Sequence, residues 1–417
     1  MKFFYLFIFF LLSSGLCAQE LSRSTVQSSR KSFTIPFQLI NNLIVMEVEV
    51  NSSATLNFIL DSGSGYTLIT DYTNIDELII REGKTILLGG LGKGMGVELY
   101  DSRNNQLRFG RAMYEDAQIL LLMDSKLQLS ERMGIPVHGV IGYEILKDFV
   151  VEINYVTKRL TFYQPAYFAA IESRKFRRYD VTPFEMHQRK PYVHAQFQLT
   201  DKDSLKEKLV LLDSGGWDSF WLFQDFDEDL KIPEPNFIDT LGYGLVGEIT
   251  GRRARAEIID VFNRKLERIP GAFPDSLSIQ NLTRTPGRKG SIGGELLSRF
   301  HLVFDYPNSR VLHRTNRNIN RVIYHNLSGI TIIKPFHHLP LIQIVNVREN
   351  SPAYNAGVRK GDYLDYLNGN FAPDLGVNAI FEKINQRPGK KVTVSLKRDG
   401  KVFKTQFRLA DPFEADN

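Results

Sequence analysis

The chain has 417 residues, of which 43% are hydrophobic, 12% aromatic and 24% charged; it is too long for one ordinary core and too apolar for disorder, so two or three packed domains are expected. Its net charge of +5 is mild, and the basic runs Arg174, Lys175, Arg177, Arg178 and Arg252, Arg253, Arg255 lack aromatic interleaving or a helix-turn-helix pattern. They read as solvated faces, which leaves no nucleic-acid partner. The single cysteine, Cys17, lies in the N-terminal segment, so disulfides and thiol catalysis are excluded from the rest.

In chain order, Lys2, the apolar run Phe3 to Leu12 and the stretch Ser13 to Ala18 read as a secretory signal over 1–18, which implies a periplasmic or secreted protein. A membrane anchor competes, but a run this short falls below the roughly 20 residues that span a bilayer, and no other segment comes closer. Lipidation of Cys17 is a further alternative, against which stands the large Leu16 before it. After an N-terminal segment, 19–34, the texture is mostly β. Leu39 to Val50, Leu56 to Leu60, Thr85 to Leu88 and Val150 to Tyr163 are rich in β-branched and aromatic residues, as are Tyr192 to Leu199, Lys208 to Leu212, Ala256 to Phe262 and His301 to His313. Short helices are expected at Glu144 to Lys147 and Glu295 to Arg299, and a basic, aromatic linker over 167–182.

These elements repeat. Phe58-Ile59-Leu60-Asp61-Ser62-Gly63 matches Val210-Leu211-Leu212-Asp213-Ser214-Gly215 at an offset of 152. The pair Gly90 and Gly92 begins 29 residues beyond Asp61, and Gly242 and Gly244 begin 29 beyond Asp213. Ile141, Gly142, Glu144, Leu146, Phe149, Tyr155 and Arg159 recur as Ile292, Gly293, Glu295, Leu297, Phe300, Tyr306 and Arg310, all at an offset of 151. One Asp-Ser-Gly is an ordinary turn after a strand. Two, with matching downstream glycines, mark a duplicated half-site.

Hydrolysis of an amide without a metal or covalent intermediate needs a base for water and an acid for the carbonyl oxygen. Two close carboxylates that share one proton supply both. Asp61 and Asp213 are the candidates, and no cofactor or metal is called for. His337-His338 point to opposite sides of an extended chain, and no His-Glu-x-x-His pattern occurs. The run Leu88 to Gly96 is not a phosphate loop, because position 94 is Gly. The glycine pairs fit hairpins that close over an extended substrate.

With these motifs the chain resembles the retropepsin-like aspartic proteases, over roughly Ile35 to Thr315. The resemblance implies a mainly β fold, two-lobed and pepsin/retropepsin-like with β-barrel lobes at 35–166 and 183–318. It also implies a polypeptide substrate, catalysis by Asp61 and Asp213, support from Ser62, Gly63, Ser64, Ser214 and Gly215, and Ser62 and Ser214 hydroxyls bonded across the two loops. Gly139-Val140-Ile141-Gly142 and Ser291-Ile292-Gly293 stand for the family's apolar-apolar-Gly segments. The halves differ after the motif, with Ser64-Gly65 against Gly216-Trp217. A Ser64 hydroxyl bond would stabilise ionised Asp61, and the lack of a hydroxyl at the matching Gly216 would leave the upper pKa of the pair higher and keep the shared proton to higher pH.

Past Asn320, Ser351-Pro352-Ala353, Ala356-Gly357-Val358, Gly361-Asp362-Tyr363-Leu364 and Asn368-Gly369 resemble a PDZ domain over 322–410, an α+β module, with 411–417 as a tail. A helix would stop at Gly357, hairpins would turn at Asn368-Gly369 and Asp399-Gly400, and Val377 to Ile384 would form a second helix. The resemblance implies a peptide ligand and a groove at Leu339, Leu341 and Ile342. Pro340 removes one N–H donor there, so an internal or intramolecular segment fits as well as a free C-terminus. A non-catalytic peptide-binding or scaffold protein that retains the protease fold is the alternative reading of the whole chain.

Overall fold

The computed structural model describes residues 25–28, 30–72, 78–88, 97–123, 127–245, 247–279 and 287–414. The proposed signal, Cys17, and the glycines Gly90 and Gly92 lie outside the described residues. The fold is mainly β.

Six strands, Leu43–Val50, Leu56–Leu60, Thr67–Ile69, Val97–Phe109, Ala112–Leu122 and Gly139–Ile141, close on themselves into the first lobe. Six more, Lys190–Gln198, Lys206–Asp213, Phe220–Leu222, Gly247–Val261, Arg264–Pro274 and Arg288–Gly293, close into the second with the same neighbour relations. In each barrel the strand that feeds the Asp-Ser-Gly turn runs parallel to the strand that ends in the apolar-Gly segment: Leu60 lies opposite Ile141, and Leu212 opposite Ile292. Sequence duplication is thus a duplication of topology.

A third sheet joins the lobes. Its order is Asp180–Pro183, Arg310–Thr315, Phe300–Asp305, Val150–Asn154, Arg159–Tyr163, Ser32–Pro36, three strands from each half. At its centre Val151 pairs with Phe304 and Ile153 with Leu302. Because Val151 repeats as Leu302 and Ile153 as Phe304, this crossed register places a local two-fold axis between the two strands. Phe33, Phe109, Phe149 and Phe162 pack beneath it, with ring centroids 5.0 Å apart for Phe33 and Phe162.

Several expected elements are hairpins rather than single strands. Leu39 to Val50 turns at Asn41-Asn42, both at positive φ, and Val150 to Tyr163 and His301 to His313 likewise fold back. The helix Pro165–Lys175 begins before the linker 167–182 and fills its first half, held because Phe168 and Phe176 are buried against Tyr163. The run Arg252, Arg253, Arg255 is not a solvated face. Strand alternation turns Arg253 inward, 2% exposed between Asp218 and Asp239, while Arg255 pairs with Asp411.

The C-terminal module has its own core, with a sheet ordered Ile330–Ile333, Gln343–Val347, Tyr363–Leu367, Lys391–Arg398, Lys401–Arg408 and helices Pro352–Asn355 and Ala372–Ile384. The second helix begins earlier than Val377, with a break at Gly376. Gly357, Gly361, Asn368-Gly369 and Asp399-Gly400 all take positive φ, as turns at these places require. Among the described residues no helix is long and apolar enough to cross a membrane.

Candidate active site

Each Asp-Ser-Gly turn sits at the end of a buried central strand, so its backbone is fixed by the barrel. Asp61 N–H donates to the Ile141 carbonyl at 2.8 Å, and Gly293 N–H to Ser219 at 3.0 Å. The loops then cross so closely over the apolar-Gly segments that a side chain would not fit. A Cβ on Gly142 would lie 2.1 Å from the Asp61 carbonyl oxygen, and one on Gly293 would lie 2.3 Å from that of Asp218.

The two turns meet at the two-fold axis through their serines. Ser62 Oγ donates to the Leu212 carbonyl at 2.7 Å and accepts from the Ser214 N–H at 2.9 Å; Ser214 Oγ donates to the Leu60 carbonyl at 2.8 Å and accepts from the Ser62 N–H at 2.9 Å. Both serines are buried, and Tyr306 closes the underside, its hydroxyl 3.4 Å from the Ser62 carbonyl. With four bonds satisfied reciprocally, neither loop can shift alone.

This grip brings the carboxyl groups of Asp61 and Asp213 face to face. Asp61 accepts from the Gly63 N–H at 2.7 Å and Asp213 from the Gly215 N–H at 3.1 Å. Each lies against the other loop's glycine, so that a Cβ on Gly215 would stand 2.5 Å from Asp61 Oδ2 and one on Gly63 would stand 2.8 Å from Asp213 Oδ1. Burial foremost, and then the neighbouring Asp213 carboxylate, raise the Asp61 carboxyl to about 8, against smaller lowering contributions from the Gly63 N–H and Lys190. The pair therefore holds a proton well into the neutral range.

Ser64 is also in the turn, but its hydroxyl donates to the Tyr66 carbonyl at 2.7 Å rather than to Asp61. Satisfying the local turn carbonyl wins over the carboxylate, so the expected Ser64 bond to Asp61 does not form and sets no difference in pH between the halves. Gly216 leaves room beside Asp213, with 3.4 Å from a built Cβ to the carboxyl.

The dyad floors a cleft of about 1390 Å³. Over it reaches the hairpin Phe237–Gly244 and Gly247–Val261, which carries Gly242 and Gly244. Tyr243, between these glycines, packs under the Arg132 guanidinium at 3.6 Å from the ring centre and so bridges to the first lobe. A Cβ on Gly242 would meet nothing within 4 Å, so that glycine is not required by packing.

The C-terminal module forms one wall of the same cleft through Ile330, Ile332, Val377 and Phe381. The groove expected at Leu339, Leu341 and Ile342 is not there. Ile342 alternates with Ile344 into the module core, Leu341 is half-buried, and Leu339 is exposed. The sheet edge beside the helix Ala372–Ile384 is instead Ile330–Ile333, which among the described residues pairs on one side only. Lobe 1 docks at its end, where Lys334 N–H donates to the Glu131 carbonyl at 2.8 Å.

Sequence reasoning missed Lys190, Arg288, Tyr243 and Arg253. A signal existed for the first: Gln188-Arg189 is the turn that repeats Asn41-Asn42, with the same pair of positive φ angles, so Lys190 stands where Leu43 stands in the other half.

No protein-family model matches the chain, and no curated protein matches it. Among solved structures, the aspartic proteinase from Irpex lacteus is similar, at a TM-score of 0.44 and 12% identity, over 70% of this chain and 99% of that one.

Proposed function

We propose that the chain is an exported aspartic-type endopeptidase of the retropepsin-like kind, with a C-terminal PDZ domain that recruits peptide or protein. The observation that carries this is the facing pair Asp61 and Asp213, locked by the crossed Ser62 and Ser214 bonds and lining the cleft between the lobes. A carboxylate of the pair takes a proton from a water held between them. The other, protonated, carboxyl donates to the carbonyl oxygen of the scissile amide as water adds to its carbon. Proton return to the amide nitrogen then releases the amine, and the dyad is restored.

The site must favour the tetrahedral intermediate over the planar amide. The test is a peptide cleaved by the purified chain, remade with a hydroxyethylene group, a tetrahedral secondary alcohol, in place of its scissile bond. It is expected to bind about a hundredfold or more tightly than the parent peptide. Equal affinity of alcohol and parent overturns the reading.

A further inference from the structure

The two walls beside the dyad descend from one ancestral half, yet they differ in charge. In lobe 1 the turn Asn41-Asn42 leads into Leu43, which packs with Ile59, Met133 and Val140 in an apolar cluster. In lobe 2 the equivalent turn, Gln188-Arg189, leads into Lys190, and Arg288 lies close beside it; both line the cleft. The turns themselves still play the same part: Asn42 donates to the Trp217 carbonyl at 3.2 Å and Arg189 to the Gly65 carbonyl at 3.3 Å, each across to the opposite loop.

Arg288 is held by the faces of Tyr192 and Phe223, at 5.9 and 5.1 Å, and by a bond from its Nε to the Gly290 carbonyl. It is 6% exposed, and among the described residues neither it nor Lys190 makes an ion pair with a carboxylate. Two enclosed cations on one wall of the cleft, neither of them ion-paired among the described residues, form a site that lacks its anion.

We propose that Lys190 and Arg288 form a subsite for a substrate carboxylate next to the scissile bond, so that the cleft selects acidic peptides. This rests on the peptidase reading and names its substrate class. An incoming carboxylate supplies the missing countercharge, and Arg288, pre-set by its two aromatic neighbours, loses little freedom in binding it. The apolar wall at Leu43 takes an uncharged side chain on the other flank.

The test uses peptide pools that fix Glu or Gln at one position at a time, each made with a free-acid and an amidated C-terminus. Cleavage by wild type, Lys190→Met and Lys190→Arg is compared, and binding of the same pools is measured on the Asp61→Asn chain with and without Lys190→Met. Glu is expected to exceed Gln by about tenfold in kcat/KM at one position, as a charge-assisted bond gives. Lys190→Met should bring that ratio near one, and Lys190→Arg should keep it. Preference for the free acid over the amide, lost in the same variant, assigns the carboxylate to a chain end instead of a side chain. No Glu or free-acid preference, or one that survives Lys190→Met, overturns the subsite. Lys190-dependent binding of the acidic pools by a chain that cleaves none of them upholds the subsite and overturns the peptidase reading.

Discussion

Ser62 and Ser214 explain why a hydroxyl residue follows each aspartate: one oxygen both donates to a carbonyl and accepts from an N–H across the axis. That contact was legible because the whole device is contained in three consecutive residues, read twice. Ser64 was misread because a hydroxyl two residues from a turn carbonyl has a local acceptor that sequence does not rank against the carboxylate. A pH dependence follows from Asp61. Its folded carboxyl is raised to about 8, whereas an unfolded aspartate titrates near about 3.9. The folded state thus holds a proton the unfolded state has released, and stability from this group is present at acid pH and lost as pH rises through that window. Asp61→Asn, which has no such proton to lose, should gain in urea midpoint relative to wild type between pH 4 and pH 8, where a constant difference would show that Asp61 is not raised. The basic limb of kcat/KM in wild type should fall in the same upper range, as the pair gives up its shared proton.

At the scale of the element, the long hairpins were the least legible parts. Val97–Phe109 contains the polar run Asp101 to Gln106, within which Asn105 is fully buried and bonded to Asn51 at 2.6 Å and Ser102 at 2.9 Å. A polar network inside a barrel defeats hydrophobic alternation. Its counterpart in lobe 2, Gly247–Val261, hides Arg253 in the same way. Arg253 joins Asp218, at 2.7 Å, to Asp239, at 3.4 Å, and also bonds the Leu241 carbonyl. Asp218 in turn receives the Trp221 indole N–H at 2.7 Å. Replacing Arg253 with Met removes the guanidinium that joins two partly buried carboxylates and leaves Asp239 only His325, at 3.4 Å, a loss of about 3–5 kcal/mol. The urea midpoint should fall accordingly, and a change under about 1 kcal/mol would mean that the network is solvated and does not anchor the hairpin over the cleft.

For the molecule as a whole, the duplicated halves and the separate texture beyond Asn320 were visible in the order of residues, because a repeat needs only matching spacings. How the third unit sits was not, since no local pattern encodes a docking face. It is fixed by Arg255 with Asp411 at 2.6 Å, by the Phe237 and Phe413 rings at 5.5 Å, and by Asn41 N–H on the Asn378 side chain at 3.2 Å. The groove was misassigned for the same reason: Leu339 to Ile342 precede one strand, but the sheet edge is another. With a core of its own, the module is expected to be removable. Cutting the chain after Asn320 should leave cleavage of short peptides within about threefold and reduce kcat/KM for long ones by about tenfold, the loss of a contact worth about 1.4 kcal/mol. Equal losses for both would mean that the module holds the dyad itself in place.

The most direct measurement is digestion of a diverse peptide library by the purified chain, read by mass spectrometry for wild type, Asp61→Asn and Asp213→Asn, with circular dichroism to show that each variant is folded. A dyad that shares one proton requires both carboxyls, so wild type should cut internal peptide bonds and each folded variant should lose about a thousandfold or more, given that general acid–base roles contribute about 10²–10⁴. Folded Asp61→Asn or Asp213→Asn chains that cut the same bonds at the wild-type rate would contradict catalysis by this pair.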